Sequence, residues 1–281
     1  NGGLATSLVQ TFTITVNPVN DRPTFTATNP PASNEDSGLA TVNGFASGFV
    51  AGPADESTQT ILSYHVSNVT NASLFAVAPS VATNGTLTYT PALNANGTAT
   101  FDLTVTDSGG SANGGQPTSF VQTFTITVNA VNDAPTISIG GNQSVANGVG
   151  AQTVSGFASL VSVGPADEST QTLVGYQVSN NNNGLFSVQP TISPTGVLTY
   201  TPAAGPGGTA TVTVRGQDSG STANGGVDLS APLTFTITVA APLVNSPPTI
   251  ASIGNVAINE DAGLQTVNMT GISGGTDAPP Q

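Results

Sequence analysis

The side chains best equipped for chemistry in this 281-residue chain are its carboxylates. There are 15 of them against two bases, Arg22 and Arg215, giving a formal net charge of −13. They fall in clusters: Asp21; Glu35 and Asp36; Asp55 and Glu56; Asp107; Asp133; Asp167 and Glu168; Asp218; Glu260 and Asp261; Asp277. Nearly all lie in turns or linkers, Asp102 and Asp228 being the exceptions. Calcium takes about six to eight oxygens from carboxylates, amide side chains and backbone carbonyls, held at about 2.3–2.6 Å. Turn-borne Asp and Glu beside Val-Asn-Asp segments offer that mixture. The same placement also fits turns that are simply acidic and solvated.

Other chemistries fall by subtraction. His65 is the only histidine, sits in an alternating strand segment and is replaced by Gln177 one repeat later. With no second His and no Cys, neither a nucleophilic triad nor a histidine- or thiolate-bound zinc site can be assembled. A carboxylate pair suited to glycoside hydrolysis needs a deep cleft, and both repeats would have to carry it identically. The chain therefore reads as no enzyme. Two arginines cannot displace phosphate counterions, which excludes nucleic acid, nor hold an anionic membrane surface. No run of about 18 apolar residues occurs, so no segment inserts in a bilayer. The excess negative charge calls for a cation as partner.

The elements that position these acids follow from repetition. Phe-Thr-Ile-Thr-Val occurs at Phe12–Val16, Phe124–Val128 and Phe235–Val239, spaced 112 and 111 residues apart. Pro53–Thr60 recurs as Pro165–Thr172, Thr88–Ala92 as Thr199–Ala203, and the Asp-Ser-Gly at Asp107 returns at Asp218. Val19-Asn20-Asp21 and Val131-Asn132-Asp133 then read as linkers. The organisation expected is the tail of one repeat over 1–22, complete repeats over 23–133 and 134–245, and the start of another over 246–281. The chain reads as a window on a longer tandem array.

Within a repeat the apolar period is two, as in Thr123–Val128, where Phe, Ile and Val share one face and three Thr the other. Strands are expected near Thr24–Thr28, Ala40–Phe45, Ile61–Ser67, Leu74–Val77, Thr86–Thr90, Ala99–Thr106 and Thr123–Val128. Seven short strands bounded by Gly, Asn and Pro predict an all-β fold of tandem seven-stranded Greek-key sandwiches. Core aromatics pair between repeats: Phe45 with Phe157, Tyr64 with Tyr176, Phe75 with Phe186, Tyr89 with Tyr200, and Phe124 with Phe235. Fully burying each contributes roughly 1.5–3 kcal/mol, enough in sum for a repeat to fold alone.

Phe101–Gly109, then Phe124–Val128 and Val131-Asn132-Asp133-Ala134-Pro135, resembles the C-terminal half of a cadherin repeat. With Asn34–Gly38 and Gly52–Ser57, the chain is most similar to the cadherin-like tandem repeats of giant bacterial surface proteins and adhesins. The resemblance implies sandwiches joined end to end with Ca²⁺ stiffening each junction. It places Asn20, Asp21, Asp55, Glu56 and Asp107 at the first junction. At the second it places Glu35 or Asp36, Asn132, Asp133, Asp167, Glu168 and Asp218. The family's Asp-Arg-Glu element has no counterpart; Asn94-Ala95-Asn96 lies in that region. In the second repeat Asn34-Glu35-Asp36 is replaced by Ala146-Asn147-Gly148, and the following linker, Val244-Asn245-Ser246, lacks its Asp. Calcium is expected to be weaker or absent at that third junction, and the hinge there more mobile.

The function these readings imply is a calcium-stiffened stalk or spacer of a long extracellular or cell-surface protein. Its partners would be neighbouring repeats of the same chain. A self-assembling filament or sheath, with other copies as partners through open Thr-rich edges, is one alternative, and a glycan- or protein-binding module acting through its loops is another.

Overall fold

The structure, a computed structural model, describes residues 2–3, 5–243 and 247–273. The expected third linker at 244–246 and Asp277 lie outside the described residues. The chain divides into two compact units. One comprises residues 1–133 with 164–170 and 220–227; the other comprises 134–163, 171–219 and 228–281.

In the first unit nine strands follow one another: β1 (Thr24–Ala27), β2 (Ser33–Asn34), β3 (Ala40–Val42), β4 (Ala46–Val50), β5 (Ile61–Ser67), β6 (Phe75–Val81), β7 (Leu87–Pro91), β8 (Gly97–Asp107) and β9 (Gln122–Asn129). They form a four-stranded sheet β2-β9-β8-β5, a three-stranded sheet β3-β7-β6 and a β1-β4 pair. Two of the nine, β2 and β4, lie outside the seven expected strands, and each follows a break in the chain's extended run. Pro30-Pro31 separates β1 from β2, since proline removes a ladder donor. Asn43-Gly44, with Gly44 at φ 67°, separates β3 from β4. The chain crosses from one sheet to another at both breaks: β1 pairs β4 antiparallel, whereas β2 pairs β9 in parallel.

Apolar residues at every second position pack between the sheets. β8 buries Ala99, Phe101, Leu103 and Val105, and β9 buries Phe124, Ile126 and Val128. Phe45 stands edge-on to Phe124 at 5.1 Å between ring centres, and Phe25 edge-on to Tyr64 at 5.7 Å. His65 points out to solvent.

The second unit repeats the order with β10 (Thr136–Ile139), β11 (Gln143–Val145), β12 (Gln152–Val154), β13 (Ala158–Ser162), β14 (Leu173–Asn180), β15 (Phe186–Ile192), β16 (Leu198–Pro202), β17 (Gly208–Asp218) and β18 (Leu233–Val239). Its sheets are β11-β18-β17-β14, β12-β16-β15 and β10-β13. Four of the five repeated core aromatics are buried here; Tyr176 is half-buried. The core is thinner, because Phe25, Phe101 and Val105 give way to Ile137, Val212 and Gly216.

The segment Phe12–Val16 matches β9 letter for letter yet forms no strand, and Phe12, Ile14 and Val16 are exposed. A strand exists through its ladder partners. β9 has β8 and β2 beside it, and residues 12–16 have no partner strand among the described residues. Residues 247–273 are likewise irregular apart from one bridge, Thr249 to Ser273.

Candidate metal centre

The inward face of β8 runs Ala99, Phe101, Leu103, Val105, Asp107. The same period that buries the core therefore delivers Asp107, at the end of the strand, to a position with no solvent exposure. Its Oδ1 accepts two hydrogen bonds, from Asn20 Nδ2 at 3.1 Å and from the Gly109 N–H at 2.9 Å. Asn20 is itself buried, and its backbone oxygen accepts from the Gln116 N–H at 2.8 Å. The linker is thus stitched to the end of β8 and to the loop that follows it.

Asp55 and Glu56 are separated by the turn that carries them. Ala54–Glu56 form one 3₁₀ turn started by Pro53, whose carbonyl accepts from the Glu56 N–H at 3.0 Å. With three residues per turn, neighbouring side chains point in different directions. Glu56 is buried and accepts the Asp21 N–H on Oε1 at 2.7 Å, whereas Asp55 faces solvent. Asp21 is also exposed and enters through its backbone.

At this first site four side-chain oxygens are buried without a hydrogen-bond partner: Asn20 Oδ1, Glu56 Oε2, Gln59 Oε1 and Asp107 Oδ2. Each such acceptor costs about 1–3 kcal/mol, more when charged, and native interiors leave few. Asn20, Glu56, Gln59 and Gly109 line one depression, with Asp55 at its rim. A Cβ added at Gly52 would land on Glu56 Oε2, so this glycine keeps clear the space in front of the carboxylate. Among the described residues no three His, Cys, Asp or Glu side chains are gathered to hold a metal ion by themselves. The donor set is mixed instead, two carboxylates with two neutral amides. All are hard oxygens of the kind calcium takes.

The second Asn-Asp segment is built likewise. Glu168, buried in the 3₁₀ turn Ala166–Glu168, accepts the Asp133 N–H on Oε1 at 2.7 Å, and Asp167 is exposed. Asn132 Nδ2 donates to Val227 O at 2.7 Å, and a Cβ at Gly220 would land on Asn132 Oδ1. Glu35, 2% exposed, accepts the Val131 N–H at 2.7 Å. Asn96, from the region expected to correspond to Asp-Arg-Glu, donates through Nδ2 to Glu35 Oε2 at 3.3 Å and Asp167 Oδ2 at 3.2 Å. An amide thus bridges two carboxylates. Asp36 accepts the Asn94 N–H at 3.0 Å. Burial, followed by the charges of Asp36 and Asp167, raises the pKa of Asp133. Asp218 is buried in the second unit, where its N–H donates to Asp228 O at 3.1 Å.

Residues 19–127 match the sequence profile of the Cadherin-like domain. That stretch is similar to a cadherin-like domain. Domains of this family are extracellular structural and adhesion repeats. No curated protein sequence matches the chain. Among solved structures, human protocadherin-24 EC1-2 (form II) is similar, with 18% identity over 79% of this chain and 100% of that one at a TM-score of 0.42. Mouse protocadherin-24 EC1-3 shows 18% identity over 79% of this chain and 71% of that one at 0.40, and chicken VE-cadherin EC1-2 15% over 81% and 94% at 0.26. No helix among the described residues is long and apolar enough to cross a membrane.

The first site includes one buried, unpartnered oxygen that the acidic pattern did not mark, that of Gln59, which carries no charge and whose turn is distinguished in sequence only by Asp55 and Glu56. The element Ala146-Asn147-Gly148 reverses the polarity found at Glu35. Asn147 Nδ2 donates to Gly205 O at 2.8 Å and Ala240 O at 3.1 Å, where Glu35 accepts from a linker N–H.

Proposed function

We propose that this chain is a segment of an extended extracellular array of cadherin-like repeats whose junctions are stiffened by calcium. Repeats over 23–133 and 134–245 would be its units, with 1–22 and 246–281 belonging to flanking ones. One observation carries the reading: Asn20, Glu56 and Asp107 are each more than nine-tenths buried, and each holds an oxygen with no hydrogen-bond partner. A divalent cation accepts such oxygens and offsets the two buried negative charges. Magnesium dehydrates reluctantly and keeps several waters, so a set made of protein oxygens suits calcium better.

The first junction would draw on Asn20, Asp21, Asp55, Glu56 and Asp107. The second would draw on Glu35, Asp36, Asn132, Asp133, Asp167, Glu168 and Asp218. Binding there supplies no reaction; it ties a linker to the loops on either side of it and so restricts bending. The chain would act as a spacer or stalk and carry no catalytic site.

Calorimetric titration of the whole chain with calcium, paired with small-angle scattering in calcium and in chelator, tests this. The expected result is saturable binding and a narrower distribution of chain dimensions in calcium. No binding at millimolar calcium overturns the proposal.

A further inference from the structure

The Gln59 amide occupies a position that the charged residues around it do not explain. Its N–H donates to Glu56 O at 2.9 Å, which fixes the backbone just after the 3₁₀ turn, and the side chain leads back toward the linker. Its Oε1 is buried and has no partner, as is true of Asn20 Oδ1. A Cβ added at Gly109 would land on Asn20 Oδ1 and stand 2.5 Å from Gln59 Oε1. The two amide oxygens therefore border the same small space. Gly109 lies outside the left-handed region, so room and not backbone freedom is what glycine supplies there.

Asn20 is oriented by its own hydrogen bond. Its Nδ2 is committed to Asp107 Oδ1, which turns Oδ1 toward Gln59. Two amide oxygens facing one another repel unless something positive lies between them. A half-turn of the Gln59 amide would aim its NH₂ at Asn20 instead, and a cation between the two groups would favour the oxygen-inward orientation.

We infer that Gln59 is a ligand of the junction cation through Oε1, forming with Asn20 Oδ1 a neutral amide pair beside the carboxylates of Glu56 and Asp107. The inference rests on the calcium reading above and adds a specific residue to it. The site then carries two negative charges, which balance a divalent ion. Charge added at position 59 tightens binding, and more so for a trivalent ion. Removing the amide removes one oxygen from the ion, worth roughly a tenfold to hundredfold loss by analogy with a lost bond to a charged group.

The test uses the full chain. In the native protein, the carbon-13 resonances of Gln59 Cδ and Asn20 Cγ are followed through a calcium titration, and both should move in step with site occupancy. Calorimetry on Gln59→Leu should show one class of sites weakened at least tenfold, whereas Gln59→Glu should bind calcium more tightly and terbium more tightly still. Gly109→Ala, which fills the space between the two oxygens, should behave like Gln59→Leu. If the native protein binds no calcium, the functional reading fails and this inference falls with it. If it binds but Gln59 Cδ stays still and Gln59→Leu binds as tightly as native, Gln59 is not a ligand and the calcium reading stands without it. The resonance measurement needs no variant, so a substitution that misfolds leaves the question decidable.

Discussion

Replacing Asp107 by Asn separates the cost of burying a charge from the benefit of binding an ion. Asp107 has no solvent exposure; both of its hydrogen bonds arrive at Oδ1, and Oδ2 has none. An asparagine can keep its oxygen toward Asn20 Nδ2 and the Gly109 N–H while an uncharged NH₂ takes the place of Oδ2. In chelator the variant sheds a buried, unsatisfied charged acceptor and should gain about 1–3 kcal/mol. For a repeat of this size that raises the midpoint by about 4–12 °C. In calcium at a hundred times its dissociation constant, the native site gains about 2.7 kcal/mol by mass action. The variant, with one carboxylate gone, gains far less. The order of stabilities should therefore cross: Asp107→Asn melts above native without calcium and below it with calcium. Differential scanning calorimetry in chelator and in millimolar calcium reads both limbs. A variant less stable than native in chelator, or one that gains as much from calcium, would refute the account of Oδ2 as a metal-facing oxygen.

Three further outcomes are expected. The raised pKa of Asp133 means that the folded chain holds this proton more tightly than the unfolded one. Its stabilising contribution is complete below the unfolded value of about 3.9 and is lost as pH rises through the raised folded value. A carbon-13 titration of the Asp133 carboxyl should show the raised midpoint, and Asp36→Asn should lower it only in part, because burial is the larger cause. Phe101→Ala removes a ring that is 1% exposed and lies against Phe45 and Phe124 at 5.9 and 5.7 Å, and denaturant unfolding should register a loss of about 3–5 kcal/mol. Asn147→Glu exchanges two donated hydrogen bonds for a carboxylate set against the Gly205 and Ala240 carbonyls, and should cost about 1–3 kcal/mol by the same measurement in chelator.

How far the fold was legible in the sequence can be judged strand by strand. Ile61–Ser67 begins and ends where alternation and β-branching place it. The strand expected over Leu74–Val77 runs instead from Phe75 to Val81, through Pro79. Proline argues against a strand only where its missing N–H would be used. β6 is an edge with β7 as its one neighbour, and the register slips between Val77 and Ser80, where Pro79 sits. β2 and β4 were not legible. Ser33-Asn34 has no apolar residue to mark it, and Gly48 at φ 59° interrupts the alternation of Ala46–Val50. The acidic positions at the linkers were legible as a set, but not the division within each pair. Only the phase of a 3₁₀ turn decides that Glu56 is buried and Asp55 is not. Asp107 was legible in principle, since it continues the buried register of β8 by one more step. Gln59 was not, because nothing in its type or spacing marks it until the fold brings it to Asn20.

The near absence of basic residues bears on what can neutralise the buried carboxylates. Arg22 is engaged elsewhere: its guanidinium donates to Thr118 O at 2.8 Å and lies over the Phe120 ring at 4.7 Å. The chain has no lysine, so no ammonium group of its own competes for Glu56 or Asp107. A mobile cation from the medium is then what can offset their charge. Extracellular calcium modules bind with dissociation constants of about 10⁻⁴–10⁻³ M, a range reached with few charged ligands and loosely held loops. Two carboxylates assisted by neutral amides, carried on a linker and two turns, match that range better than they match a tight intracellular buffer. On the proposed reading the junction would then respond to calcium, and a chain given a lysine beside Asp107 should lose calcium binding in a calorimetric titration.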